Sequence, residues 1–243
     1  IRGGYKAMRR FLIDELERSV SQGQFVLVGG KTGPGKTRVI HDIARSVDLE
    51  GLANHRGSTF GQMPRPQPSQ IDFENRLSIA LLKLLDTSRE NIYLEDEGRL
   101  IGRLYLPEVL QERMARSPMV VLEQSLDERV DVVIEDYIID LGARYREIHG
   151  EQGDSLHAEK LQADLFKIRK RLGGERHQRM SDAMAAAFDR QRNTGNLDGH
   201  RQWIHFLLEQ DYDPMYEYQL QRRQGEVLFS GTRQAALDWV AHR

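Results

Sequence analysis

Apolar runs and apolar stripes alternate along the first half of the chain. Met8, Leu12 and Leu16 fall on one stripe, which predicts a lead-in helix over 5–19. An apolar run predicts a buried strand over 24–29, followed by a glycine-rich turn and a helix over 36–44. A short second strand is expected over 46–50, then an irregular segment over 51–70 that holds three of the seven prolines. Helical spacing returns over 71–85 through Phe73, Leu77, Leu81 and Leu84. A third strand over 91–96, a helix over 106–115 with Pro107 at its start and a fourth strand over 119–123 complete this half. Strands alternating with helices imply an α/β fold: a mostly parallel sheet with helices on both faces.

After Asp127 the pattern becomes helical. Val130, Val133, Ile134, Tyr137, Ile138 and Leu141 lie at helical intervals, as do Leu161, Leu165, Ile168 and Leu172. Gly173-Gly174 interrupts the run, and Met180, Met184 and Phe188 resume it. A last strand over 225–231 and a helix through Ala235, Leu237, Trp239 and Val240 return to the sheet. The expected organisation is a lead-in over 1–20, an α/β core over 21–126, a helical insert over 127–222 and a final strand–helix unit over 223–243.

The glycine-rich turn carries the first chemistry. Gly30-Lys31-Thr32-Gly33-Pro34-Gly35-Lys36-Thr37 fits G-x-x-x-x-G-K-[ST] without mismatch and sits between a strand and a helix. Such a loop turns backbone N–H groups toward a phosphate, so Gly30, Lys31, Thr32, Gly33 and Gly35 are expected to form an anion cradle. Lys36 can reach the outer phosphate oxygens, and the Thr37 hydroxyl can ligate Mg²⁺. A P-loop NTPase-like core follows as the expected fold. Its partner carboxylate is expected at a strand end: Asp96 first, on the Mg²⁺ or its water, then Glu95, then Glu123. Arg56 and Ser58, after the second strand, and Arg99 and Arg103, after the third, are candidates for an anion crevice beyond the strand ends.

Composition narrows the classes. The chain has 243 residues, 39% hydrophobic and 30% charged, with a net charge of −2, so any nucleic-acid site must come from local segregation of charge. The stretch 167–179 supplies it: Lys167, Arg169, Lys170, Arg171, Arg176 and Arg179 face the single carboxylate of Glu175. Arg190, Arg192, Arg222 and Arg223 could extend it. This is a candidate phosphate-backbone footprint, and a solvated helix face is the alternative. The aromatic stretch from His200 to Tyr218 reads either as base-stacking residues or as core, since Trp203, Phe206 and Leu207 share a stripe. With no cysteine, disulfides, thiolate catalysis and cysteine-based metal sites are excluded within this chain. The same feature and the lack of a long apolar run fit a cytoplasmic protein without membrane partners.

Beyond the loop, several segments together resemble the C-terminal P-loop domain of the tRNA 2-selenouridine synthase family. They are Gly3-Gly4-Tyr5-Lys6-Ala7, the run from Val47-Asp48-Leu49-Glu50-Gly51 to Arg56-Gly57-Ser58-Thr59-Phe60-Gly61, residues 67–75, and Leu94-Glu95-Asp96-Glu97-Gly98-Arg99-Leu100-Ile101-Gly102. The resemblance implies a transferase acting on wobble 2-thiouridine of tRNA. It implies geranyl diphosphate and selenophosphate as co-substrates, with the loop holding a diphosphate. It also implies a rhodanese-like partner domain carrying a cysteine; this chain, which opens at Ile1 without an initiator Met, contains neither and reads as a fragment. The residues alone leave two alternatives: a nucleotide-dependent kinase or ATPase, and a non-catalytic tRNA-binding module.

Overall fold

The structure, a computed structural model, describes residues 3–243; the first two residues of the 1–20 lead-in lie outside the described residues. Five parallel strands form the sheet in the order β2–β3–β1–β6–β7: β1 (Phe25–Gly30), β2 (Ser46–Val47), β3 (Ile92–Glu95), β6 (Met119–Leu122) and β7 (Val227–Gly231). β1 lies at the centre and is buried along its whole length. Its residues alternate between two cores, as a pleated strand requires. Phe25 and Leu27 join Phe73, Leu77, Leu81 and Leu110 on one side, under α1 (Gly4–Gln22), α4 (Gln70–Thr87) and α5 (Glu108–Arg116). Val26 and Val28 join Val39, Ile40, Tyr93 and Ala236 on the other, under α2 (Lys36–Asp42) and α13 (Arg233–Ala241). The chain is thus α/β with helices on both faces, as its apolar pattern foretells. No helix is long and apolar enough to cross a membrane among the described residues.

Two elements differ from the sequence reading. The second strand stops at Val47, because the Asp48 carboxylate accepts from the Gly51 N–H and caps a short helix, α3 (Leu49–Ala53). The segment expected to be irregular therefore begins as helix. A hairpin, β4 (Leu100–Ile101) with β5 (Leu104–Tyr105), turns at Gly102, whose φ is +62°. Strands of two residues are too short to show an alternation.

The insert is a helical bundle with its own core around Leu141, Leu161, Leu165, Met184, Trp203 and Ile204. A capping box between Ser125 and Glu128 opens α6 (Leu126–Val133). The helix widens to π-type turns over Ile134–Asp140 and continues as α7 (Leu141–His149). It is followed by α8 (Gly153–Lys167), α9 (Arg169–Leu172), α10 (Gly174–Thr194), α11 (Asp198–Leu207), a second π-type stretch (Leu208–Tyr212) and α12 (Asp213–Gln221).

The bundle core holds two histidines. His157 Nε2 meets the Tyr137 carbonyl at 2.8 Å, and the Trp203 indole N–H donates to His200 Nδ1 at 3.1 Å. Burial, followed by cationic Lys160 for His157 and by His157 for His200, lowers each imidazole pKa from 6.5 to about 4. Each neutral ring therefore contributes stability that is complete above pH 6.5 and is lost as the pH falls toward 4, by about 1.4 kcal/mol per pH unit. Chemical-denaturation curves between pH 7 and 4.5 are expected to fall less steeply for His157→Gln than for the parent by about that slope. Parallel slopes would show that His157 is not held neutral.

Candidate functional site

The site lies where the parallel strands end, at the edge that ligands occupy in open α/β sheets. β1 runs into the phosphate loop, and its glycines have backbone shapes that side chains rarely adopt. φ is +143° at Gly30, +89° at Gly33 and +79° at Gly35. A Cβ on Gly30 would lie 2.7 Å from the Leu122 carbonyl oxygen, and one on Gly33 would lie 2.8 Å from that of Arg129. The loop is thus pressed between β6 and α6 and delivers Lys36 and Thr37 at the start of α2. Lys36 Nζ lies over the loop, 3.4 Å from the Gly30 carbonyl oxygen.

The insert grips this loop. Arg129, 4% exposed at its side chain, donates two 2.7 Å hydrogen bonds to Asp213 and a third, at 3.1 Å, to the Thr32 carbonyl. Lys31 is turned toward α12, 2.7 Å from Glu217 and 3.4 Å from Asp213, so only its backbone belongs to the cradle. Arg129 and Asp213 carry no motif and were not foreseen.

The carboxylates divide differently from expectation. Asp96, the first choice for Mg²⁺, is engaged by Arg223 at 2.5 Å, and Glu123 accepts from Ser230 at 2.5 Å. The Thr37 hydroxyl instead donates to Glu50 at 3.1 Å, and the Glu50 N–H donates to Glu95 Oε2 at 3.1 Å. Glu95 is fully buried, and its Oε1 has no hydrogen-bond partner among the described residues. Burial, then the charges of Glu50 and Asp48, pushes the Glu95 carboxyl up to about 8. Burial is also the main reason that Glu50 and Glu97 are raised. Glu50 was missed because its segment was read as strand; its signal is the Asp48 cap that turns it into the site. Among the described residues no group of three or more carboxylates and imidazoles has metal-binding spacing.

A cleft of about 820 Å³ opens above the loop. Lys36, Thr37, Arg56 and Ser58 line it, as do Asp96 and Glu97, while Glu95 sits beneath. Arg56 pairs with Asp136 at 3.0 Å, Arg38 pairs with Glu135 at 2.8 Å, and the Ser58 and Tyr137 hydroxyls meet at 2.9 Å. Arg99 stacks on Tyr105 at 5.4 Å and does not line the cleft. Arg103 lines a neighbouring one.

The cleft adjoins a small apolar slot. Thr32, Ser58, Val133, Tyr137 and Tyr212 border both. Phe60, Leu161, Trp203, Ile204, Leu207 and Leu208 complete the slot, so the core reading of Trp203 and Leu207 holds.

The basic stretch does not act as one face. Arg171, 42% exposed at its side chain, lies on the cleft side and makes two 2.6 Å bonds to Asp211. Lys167 pairs with Asp164 at 2.7 Å, and Arg169 stacks over the exposed Phe166 ring at 3.8 Å. Lys170, Arg176 and Arg179 are exposed.

Comparison with known proteins accords with this geometry. The family model for the tRNA 2-selenouridine synthase AAA domain matches residues 23–243. A protein named tRNA 2-selenouridine synthase from Marinobacter nauticus is 50% identical over 244 aligned positions, which cover 100% of this chain and 66% of that protein. Proteins of the same name from Pseudomonas fluorescens and Alcanivorax borkumensis are 49% and 48% identical over 99% and 96% of the chain, and 66% and 65% of their own lengths. The chain thus spans just under two thirds of these relatives. No solved structure matches it. A loop that fits the phosphate-binding pattern residue for residue and a match from residue 23 to the end lead to one assignment: the chain belongs to the tRNA 2-selenouridine synthase family, as its AAA domain.

Proposed function

We propose that this domain is a transferase acting on wobble 2-thiouridine of tRNA. It geranylates the sulfur with geranyl diphosphate and then exchanges the S-geranyl group for selenium from selenophosphate, giving 2-selenouridine. The observation that carries the reading is the union of an anion cradle with an apolar slot across a shared wall of Thr32, Ser58, Tyr137 and Tyr212. A ligand with a diphosphate head and a hydrocarbon tail would set its head in the cradle and its tail at the mouth of the slot, which at about 30 Å³ takes a few atoms of that tail and must widen for the rest.

In the first step the thiouridine sulfur attacks C1 of the geranyl group. The C–O bond breaks, diphosphate leaves, and the base loses its N3 proton. In the second, selenium of selenophosphate adds at C2 and geranyl thiol is expelled. Water then cleaves the Se–P bond, releasing phosphate and restoring the N3 proton. Both co-substrates are phosphorus anions, so one cradle serves both steps. Lys36 and the amides of Gly33 and Gly35 would hold the charge that grows on the departing diphosphate. Mg²⁺ bound to Thr37 would take Glu50 or Glu95 as its carboxylate, and the unpartnered Glu95 Oε1 fits such a group; it would supply further charge neutralisation. Lys170, Arg176 and Arg179, with Lys167 and Arg169, would grip the tRNA backbone, and the reaction belongs in the cytoplasm with its tRNA. A rhodanese-like domain is the expected partner for the selenium step.

Mass spectrometry of the wobble nucleoside tests the reading. After incubation of the chain with 2-thiouridine tRNA and geranyl diphosphate, the S-geranyl nucleoside is expected. Folded chain that binds tRNA and gives no such product would remove the transferase assignment from this domain.

A further inference from the structure

Helix α2 brings a third polar group to the cleft besides Lys36 and Thr37. His41 lies four residues beyond Thr37, so the two share a face of the helix. Among the described residues it is the only imidazole that lines the cleft, and its side chain is 61% exposed. The ring is nevertheless held in place. Its Nε2 lies 2.7 Å from Asp48 Oδ2, while Asp48 Oδ1 accepts from the Gly51 N–H at 2.6 Å. Both carboxylate oxygens are thus engaged, one by the helix that Asp48 caps and one by the ring.

That contact decides which nitrogen can do chemistry. A carboxylate only accepts, so Nε2 carries the hydrogen and the neutral ring keeps its lone pair on Nδ1. Nδ1 makes no hydrogen bond within the chain among the described residues. An imidazole oriented by a carboxylate through one nitrogen and free at the other is the arrangement of a general base, and the carboxylate steadies the imidazolium that forms. Most carboxylates of the cleft are less free to take a proton. Asp96 is bound to Arg223, Glu135 to Arg38, and Asp136 to both Arg38 and Arg56. Glu50 and Glu97 converge at Gly57, where a Cβ would lie 2.5 Å from one and 2.8 Å from the other, on the side where Thr37 donates to Glu50.

The geometry points to His41 as the base that takes the N3 proton of the thiouridine during geranyl transfer, with Asp48 as its positioning residue. The inference rests on the transfer proposed above. A thiocarbonyl sulfur is a weak nucleophile while N3 keeps its proton, and charge flows to the sulfur as that proton leaves. The pair of the N3–H bond becomes the second bond between N3 and C2. The pair of the C2–S double bond forms the new bond to C1 of the geranyl group, and diphosphate departs with the pair of the C–O bond. His41 becomes an imidazolium and passes its proton to water at the open rim. N3 and the sulfur are both bonded to C2, so a base beside the cradle can reach one while the other faces C1. An exposed ring at the rim suits a base presented by a large RNA, whereas Glu95 lies buried beneath the loop.

The test is single-turnover formation of the S-geranyl nucleoside by the parent, His41→Ala and Asp48→Asn, with tRNA and inorganic diphosphate binding measured on the same proteins. His41→Ala is expected to lower the rate by about 10²-fold, and added imidazole to return about tenfold of that loss. Asp48→Asn keeps an oxygen for the Gly51 N–H but offers an amide N–H to Nε2, which moves the ring hydrogen to Nδ1. A loss of about 10²-fold is expected there too, without rescue by imidazole. Both affinities stay near those of the parent. A parent-like rate in either variant overturns the assignment. So does a loss in His41→Ala that imidazole leaves untouched, since a merely structural contact behaves in that way. His41→Asn, which keeps a donor for Asp48 and lacks a base, replaces an alanine variant that fails to fold, and a parent-like rate there overturns the assignment equally. A parent that forms no S-geranyl nucleoside removes the transfer itself, and the base with it.

Discussion

Lys36→Ala is expected to lower the rate of geranyl transfer by about 10²–10³-fold while leaving tRNA affinity near that of the parent. Five of the other cationic groups around the cleft show why. Arg38 and Arg56 are held by Glu135 and Asp136, Arg171 by Asp211, Arg223 by Asp96, and the nearby Arg129 by Asp213. Lys36 makes no such pair among the described residues, and Arg144, which makes none either, is exposed on α7. In the proposed transfer the diphosphate gains charge as the C–O bond breaks, between protein walls where a nearby ammonium is worth more than in bulk water. The groups already paired respond weakly, because their fields are cancelled locally. Single-turnover measurement separates this role from affinity. A lower rate with unchanged tRNA binding places Lys36 at the developing charge, and a parent-like rate places the departing diphosphate elsewhere.

Legibility in the sequence followed the range of the interactions involved. β1, the phosphate loop and the start of α2 are local: an unbroken apolar run, glycines at fixed offsets and Lys36-Thr37 name them directly. The parallel sheet was legible for the same reason, since each buried strand is a short continuous apolar run. The second strand was overextended because Leu49 and Glu50 suit either state, and only the Asp48 side-chain bond to the Gly51 N–H decides for helix. That error hid Glu50 as the neighbour of Thr37 and left Asp96 as first choice. Arg171 was grouped with its neighbours as a backbone-gripping residue. The bend at Ile168, where φ is −95° and ψ 6°, offsets α9 from α8, and Arg171 meets Asp211 on the cleft side. Charge counting cannot see such a turn. The Arg129–Asp213 pair spans 84 positions and carries no motif, so nothing short-range announces it.

That pair yields the largest expected change in stability. Asp213→Ala leaves the Arg129 guanidinium buried without its carboxylate, and breaking a buried ion pair from one side costs about 3–5 kcal/mol. Desolvation, rather than the lost attraction, dominates the cost. Replacing both partners by apolar residues of similar size, Arg129→Met with Asp213→Leu, is therefore expected to recover most of it. Function should not recover with it. The double variant still lacks the Arg129 donor to the Thr32 carbonyl and the Asp213 contact that steers Lys31, so the phosphate loop loses its anchor to the insert. Urea denaturation and diphosphate titration on the same proteins separate the two effects. Restored stability with weakened diphosphate binding identifies the pair as a positioning device for the cradle. Restored stability with parent-like binding shows instead that the loop holds its shape through its glycines alone.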